Sequence, residues 1–435
     1  MSSQQHPRGR LRLAPAAVVA AVVLMATVFV GCGSSSKVAT PGVTATSILI
    51  GSHQPLTGAA APGYSEIAPA ARAMFNYINA TKGGVYGRKI TYDYQDDAYN
   101  PTQTATVVRK LVLQNHVFAI ANGLGTPTHE QVQPFLNSEK VPDLFVASGC
   151  VCWNQPKKYP YTTGYQTNYQ IEGRILGQYI AQTFPTEKVG YLLQNDDVGG
   201  GGKAGLDEQL KPAQVVSKQS YAVAALGSGL GNEMAALQQS GAKVVAVFAI
   251  PAAFALAILA AAQIGYHPQF VASSIAASPS TMAGLIGSFS KGKAGAALLQ
   301  GIITASYLPS PTDTTNPWTE LFMKVHAKYD ASEPFDANTV YGMSWAYNTY
   351  QLLLANGKNL TRASILATIN KADLKGPGLL PLTFSATDHR GYEGEQMAKF
   401  GAGNTLTTFG PVYKAIETGP ITTYTGGQTA PPAGF

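Results

Sequence analysis

The stretch AIANGLGTPTHEQVQPFL, residues 119–136, decides how the chain is read. An apolar, strand-like run ends at Gly123 and Gly125; Thr126 and Pro127 follow, and then the first turn of a helix. Proline lacks an N–H and pre-sets φ, so Pro127 suits the first helical position and Thr126 becomes the N-cap. Free N–H groups and the helix dipole favour a negative group there. Strand, glycine turn and helix N-terminus together make an anion-binding unit of α/β folds. The plainer alternative is a well-capped helix with nothing bound.

The alternation continues outward in both directions. SILIGSH, KITYDYQ and DLFVAS read as strands, and TQTATVVRKLVLQ and THEQVQPFLNSE as helices. In EIAPAARAMFNYINA the apolar residues Ala70, Ala73, Met74, Tyr77 and Ile78 fall on one helical face. A βαβαβαβ order means a parallel sheet covered by helices on both faces. A second βα series starts at GRILGQYIAQTF and runs through KVGYLLQ, KVVAVFAI and QFVASSI, with YPYTTGYQTNYQ as the crossover between the two. The last third returns to helices and ends in short strands. The expected fold class is α/β, with two doubly wound parallel-sheet lobes and a ligand at the carboxyl ends of the strands.

With 435 residues, 45% hydrophobic and 12% charged, the chain has room for two globular lobes. The formal net charge is +6, but part of the excess sits at Arg8, Arg10 and Arg12 and no basic run follows, so a nucleic-acid partner is not expected. The basic HPRGRLR leads into the apolar LAPAAVVAAVVLMATVFV and then FVGCGSSS, the order of an export signal. Gly31 before Cys32 resembles a bacterial lipobox, whose cysteine is diacylated and becomes the first mature residue. That implies a signal peptide over 1–31, a flexible tether over 32–46, and a chain lipid-anchored to the outer face of the bacterial cell membrane, or periplasmic. An ordinary cleaved signal and an uncleaved membrane anchor are the alternatives. Cys150 and Cys152 lie two apart, where a disulfide is strained. No third ligand such as histidine sits beside them for a metal, so they read as inert or loosely redox-active thiols, with oxidation permitted by export.

Signs of chemistry are absent. A G-x-G-x-x-G fingerprint would need glycine at position 128, where Thr128 stands. DDVGGGGKAG, residues 196–205, has Ala204 after Lys203, where a phosphate loop needs Ser or Thr, and no first glycine at the spacing the motif requires. There is no G-x-S-x-G and no H-E-x-x-H; His53, His116, His129, His267, His326 and His389 are scattered. Asp96 and Asp97 are adjacent, so on a strand they face opposite ways and cannot work as a pair. With no base–nucleophile combination, binding without catalysis is expected, with no catalytic residue, metal site or cofactor.

Several marks then fall in a recognisable order: LTG after the first strand, IN with GGVYGRKI, DD followed by NP, and KVPDLFVAS. Over residues 47–413 the chain resembles the type I periplasmic-binding proteins of the leucine/isoleucine/valine class, which serve branched-chain amino acid ABC importers. The resemblance implies a monomeric Venus-flytrap clamp, not an enzyme, partnered by ABC permease subunits. Lobe 1 would comprise 47–165 plus 305–378 and lobe 2 166–304 plus 379–435, with three hinge crossings at 164–167, 301–305 and 376–381. Thr126 and the backbone of Ala147, Ser148 and Gly149 would hold the ligand carboxylate. Tyr64 and Tyr169 would cover its side chain.

The departures from that pattern shape the ligand. Many members carry a disulfide in the first lobe; its positions are here Tyr99 and Gly125. The glutamate that takes the ammonium falls at Ser274, and YQTNYQ lacks the aspartate often found at the start of the second lobe. A buried ammonium without a counter-charge costs several kcal/mol, against about −8 kcal/mol for micromolar binding altogether. Asp196 or Asp197 could supply the charge, while the flanking AIPAAFALAILAAA is apolar and small. The ligand expected is therefore a small hydrophobic solute, an apolar or aromatic carboxylate, with a branched-chain amino acid as the family default. A ligand-sensing receptor built on the same clamp is the rival class.

Overall fold

The computed structural model describes residues 39–435. The leader, Cys32 and the start of the tether lie outside the described residues. The first sheet holds β1 (Ser47–Gln54), β2 (Lys89–Asp96), β3 (Ala119–Ala121), β4 (Asp143–Val146) and β5 (Thr162–Gly164), in the order β2-β1-β3-β4-β5 and parallel throughout. The second starts with β6 (Val189–Gln194), β7 (Val215–Tyr221), β8 (Val244–Phe248), β9 (Gln269–Ala272) and β10 (Ile303–Ser306), parallel in the order β7-β6-β8-β9-β10. β3, β4, β6 and β8 are buried along their whole length, as parallel strands covered on both faces must be. Both sheets reverse direction beside their first strand, leaving crevices at β1/β3 and β6/β8.

After β10 the chain returns to the first lobe. Helices Pro317–Tyr329 and Ala337–Asn356 pack on helix Ile67–Thr81. β11 (Asp373–Leu374) and β12 (Leu382–Thr383) then form a small hairpin. β13 (Gly394–Phe400), β14 (Leu406–Lys414) and β15 (Thr422–Thr423) extend the second sheet antiparallel from β10. Helix starts follow local chemistry: Asn100 precedes Pro101, Asn316 precedes Pro317, and each asparagine side chain accepts from the first-turn N–H groups.

The three crossings are tied together by one tyrosine each. Tyr165 follows β5, Tyr307 follows β10 and Tyr392 precedes β13. The Tyr165–Tyr392 and Tyr307–Tyr392 ring centroids are 5.4 and 5.3 Å apart, and Asn348 Oδ1 accepts from Tyr165 at 3.1 Å and Tyr392 at 3.3 Å. The sequence places two crossings too early. Residues 303–306 are committed to β10 by pairing with β9 and β13, so the second crossing comes after Ser306. Residues 376–381 form the loop between β11 and β12, so the third comes after Thr383. The tail also leaves the second lobe: Phe435 packs on Tyr77 and Tyr347, at 6.1 and 5.2 Å between centroids.

Beneath the β3 turn runs a fully buried polar chain. His53 Nδ1 lies 2.8 Å from Asp97 Oδ2, His53 Nε2 2.9 Å from His129 Nδ1, and His129 Nε2 2.9 Å from Asp143 Oδ2. Thr104 and Thr162 hydroxyls donate to the two outer carboxylates. A Cβ at position 123 would run into both imidazole rings, which is why glycine stands there. Two of the scattered histidines, His53 and His129, are thus gathered with Asp97 and Asp143 into one structural unit. Replacing His129 with alanine strands His53 and Asp143 in the core. The expected loss is about 3–5 kcal/mol of stability, read as a fall in the urea midpoint. A loss below about 1 kcal/mol would show that the chain of contacts does not hold the lobe.

Candidate functional site

Loops at the carboxyl ends of β3, β4, β6, β8 and β9 face one another across a cavity with about 960 Å³ of empty space, part of it open to solvent. Five tyrosines line it: Tyr64, Tyr99, Tyr169, Tyr307 and Tyr341. Most of the remaining wall is apolar, including Ile67, Leu124, Ile250, Ile275 and Met282. Among the described residues that line it, none is Asp, Glu, Lys, Arg or His. Burial raises all five phenols above their ordinary value, so they are neutral O–H groups. Tyr64, from the first lobe, donates to the Ile275 carbonyl of the second at 3.2 Å. Beside it Asp336, the N-cap of helix Ala337–Asn356, accepts from the Ser278 and Thr281 hydroxyls across the cleft, each at 2.7 Å.

The expected site residues divide into two layers. Tyr64, Ala147, Tyr169 and Ser274 lie on the cavity wall. Thr126, Ser148 and Gly149 lie behind Tyr169. Thr126 and Ser148 are buried with their hydroxyl oxygens 2.6 Å apart, and Gly149 O accepts from Tyr169 N at 2.7 Å. A Cβ at Gly149 would stand 2.8 Å from the Tyr169 ring. Burial pushes the Tyr169 phenol up to about 12, and hydrogen bonding to the Gly149 backbone and the Ser148 and Thr126 hydroxyls works against that rise. Thr126 and Gly149, expected at a ligand carboxylate, are thus packed around the chain's own Tyr169.

Thr126 is also not the N-cap. The helix starts at Thr126 itself, with Gly125 as the cap at φ 104°, a conformation only glycine adopts comfortably. A Cβ there would also lie 2.5 Å from the Tyr99 ring. Position 125 is therefore closed by tyrosine over glycine.

At the other end of the cavity the question was the counter-charge. Ser274 carries none, but its N–H, with the Ser273 hydroxyl at 2.6 Å, is taken by Glu172 from behind. Burial pushes Glu172 up to about 7, against those hydrogen bonds. Glu395 on β13 is fully buried with neither carboxylate oxygen hydrogen-bonded, and burial, then the Glu172 charge, holds it well above the usual range. Sequence reasoning missed both. The search for an acid at the start of the second lobe stopped at Gln170, two residues short of Glu172. The signal was a glutamate between Ile171 and Ile175 on an otherwise apolar helix face. Asp196 and Asp197 do not substitute: Asp196 caps helix Asp197–Gln209, and Asp197 faces Cys150. Cys150 and Cys152 are joined to each other rather than free. Most of the glycines of residues 199–205 allow close packing, against β6, Phe248 or a neighbouring helix, while Gly200 faces open space. A Cβ at Gly205 would collide with the backbone of helix Tyr169–Thr183.

These features define a two-lobed binding clamp with an uncharged, aromatic cleft. The chain belongs to the periplasmic binding protein family, whose model matches residues 47–404. A Leu/Ile/Val-binding protein homolog 2 from Brucella abortus (strain 2308) is 34% identical over 105 residues, a match that spans 23% of this chain and 28% of that protein. Two solved structures share the fold. A fatty acid ABC transporter substrate-binding protein from Thermomonospora curvata is 20% identical, with a TM-score of 0.74 over 87% of this chain and 95% of that one. A solute-binding protein of an ABC transporter from Rhodopseudomonas palustris BisB5, in complex with 3,4-dihydroxybenzoic acid, is 18% identical, with a TM-score of 0.71 over 85% and 98%.

Glu172 also sets a pH dependence. Its folded value lies above that of an exposed glutamate, so the folded state binds the proton more tightly than the unfolded chain. The stability it contributes is complete below the ordinary glutamate range and is lost as pH rises through about 7. The urea midpoint therefore falls between about pH 5.5 and about pH 8, and Glu172→Gln makes that fall shallower. Equal slopes in the two proteins would rule out Glu172 as a cause.

Proposed function

We propose that the chain is the extracytoplasmic substrate-binding lipoprotein of an ABC importer of the branched-chain amino acid class. Its ligand is a small hydrophobic solute with a carboxylate, an apolar or aromatic acid rather than an amino acid. The observation that carries this reading is the cleft lined by five neutral phenols and no charged side chain. An ammonium placed there would lose its hydration with no carboxylate at the wall to replace it. Glu172 and Glu395 stand one layer back, behind Ser274, and Glu172 is already engaged with Ser273 and Ser274.

A carboxylate has better partners. Tyr169 O–H, on the cavity wall, donates to it. Tyr64 covers the ligand from the opposite lobe. Ligand favours the closed clamp through contacts with both lobes at once, and the closed form docks on the permease. Cys32, diacylated, anchors the chain to the membrane. The relatives span the same range of ligands: a Leu/Ile/Val-binding homologue, a fatty acid transporter component and a clamp holding a dihydroxybenzoate.

A thermal-shift panel of branched-chain amino acids, aromatic acids and short fatty acids tests the ligand class. Stabilisation by one of the acid classes, with none by leucine or valine, is expected; the reverse would sink the reading. Tyr169→Phe removes a hydrogen bond to a charged group, worth about 1.5–3 kcal/mol, and weakens the selected acid by roughly tenfold or more. Cys32→Ala moves the chain from the membrane fraction to the soluble one; unchanged partitioning would remove the lipid anchor from the proposal.

A further inference from the structure

The Cys150–Cys152 pair lacks a third ligand in the sequence, and the fold supplies two. Glu130, at the end of helix Thr126–Glu130, and Asp197, at the start of helix Asp197–Gln209, converge on it, and one ligand atom from each of the four residues lies within 4.8 Å of every other. Cys150 Sγ is 3.6 Å from Asp197 Oδ2. Neither acid has a salt-bridge partner among the described residues. Arg390, which lines a small cavity with Cys150, is already held by Asp388 and Glu417. Cys150 is buried, Cys152 is half-buried and the two acids are exposed, so the cluster opens to solvent on its carboxylate side.

We propose that Glu130, Cys150, Cys152 and Asp197, with both cysteines reduced, form a zinc site that bridges the two lobes. Two thiolates and two carboxylates are a donor set zinc accepts in tetrahedral geometry, with bonds of about 2.0–2.3 Å. Such an ion holds its donors about 3.3–3.8 Å apart, so the longer contacts of the cluster contract while the two sulfurs, no longer bonded to each other, move apart. In the disulfide form the sulfurs carry no charge and the site is lost. Glu130 comes from the β1/β3 crevice and Asp197 from the β6/β8 crevice, so the ion ties the lobes together at the cleft. That consequence rests on the clamp reading; zinc uptake by the reduced chain does not.

The test uses the full chain, oxidised or reduced with a water-soluble phosphine. The phosphine becomes its oxide with oxygen from water, the disulfide becomes two thiols with the protons of that water, and Zn²⁺ then displaces both thiol protons. One zinc per reduced chain is expected by competition with a chromogenic chelator. Cadmium in its place should give the ultraviolet charge-transfer band of metal thiolates. The double variant Cys150→Ser, Cys152→Ser loses the band, and Asp197→Asn weakens zinc by at least about tenfold. Both variants should keep the metal-free melting temperature of the wild type when all are reduced. No zinc uptake on reduction, equal uptake by the oxidised chain, or full affinity in both Glu130→Gln and Asp197→Asn overturns the proposal. Ligand binding in the thermal-shift panel is scored separately, so a failure here leaves that reading standing.

Discussion

Three hydrogen bonds in line require three protons, and the run Asp97–His53–His129–Asp143 has three links. Each outer link needs one proton between an imidazole and a carboxylate, and the link between the rings needs one more. Burial lowers the His53 pKa, although Asp97 opposes it through its hydrogen bond and its charge. The two threonine hydroxyls supply further donors. A buried polar network satisfied this way is costly to break, and its members come from β1, the residue after β2, the helix after β3 and the start of β4. The unit therefore fixes the height of the β3 turn above the sheet. Gly123 is forced by the two rings below it, and the cleft floor that follows inherits that position.

The cleft above is built on the opposite principle. Charge is kept out of the wall and neutral dipoles are left in it. Five phenols, raised by burial, offer donors without titrating in the neutral range. Tyrosine suits this because it gives a large, stiff apolar area together with one polar handle. Tyr307 belongs to the cleft and to the cluster that joins the three crossings, so the ligand site and the crossings share a side chain.

The alternation of buried runs and amphipathic stretches made the two parallel sheets legible, because burial on both faces leaves its mark on every strand. The marks LTG, GGVYGRKI and DD…NP carried the family. What stayed illegible depended on pairing at a distance. Residues 301–305 read as a crossing until β9 and β13 claim Ile303 to Ala305 as part of a strand. Scattered histidines carry no periodicity, so nothing local revealed that His53 and His129 meet. Phe435 looked like the end of the second lobe because only its partners, Tyr77 and Tyr347, place it in the first. At the site, Tyr64, Ala147, Tyr169 and Ser274 could be assigned to the cleft by position. That Thr126 is buried against Ser148 depends on contacts distant in sequence, which no linear pattern encodes.

The two buried glutamates turn these observations into a direction. Two carboxyl groups that repel one another in a dry interior do not both ionise freely, so Glu172 and Glu395 together hold less than their full charge near neutrality. Whatever negative charge remains lies behind Ser274. The field there disfavours a second carboxylate at that end. On the proposed acid-binding reading, the apolar body of the ligand rests against Ile275, Ala276 and Met282, and the charge held behind Ser274 turns its carboxylate away from that end.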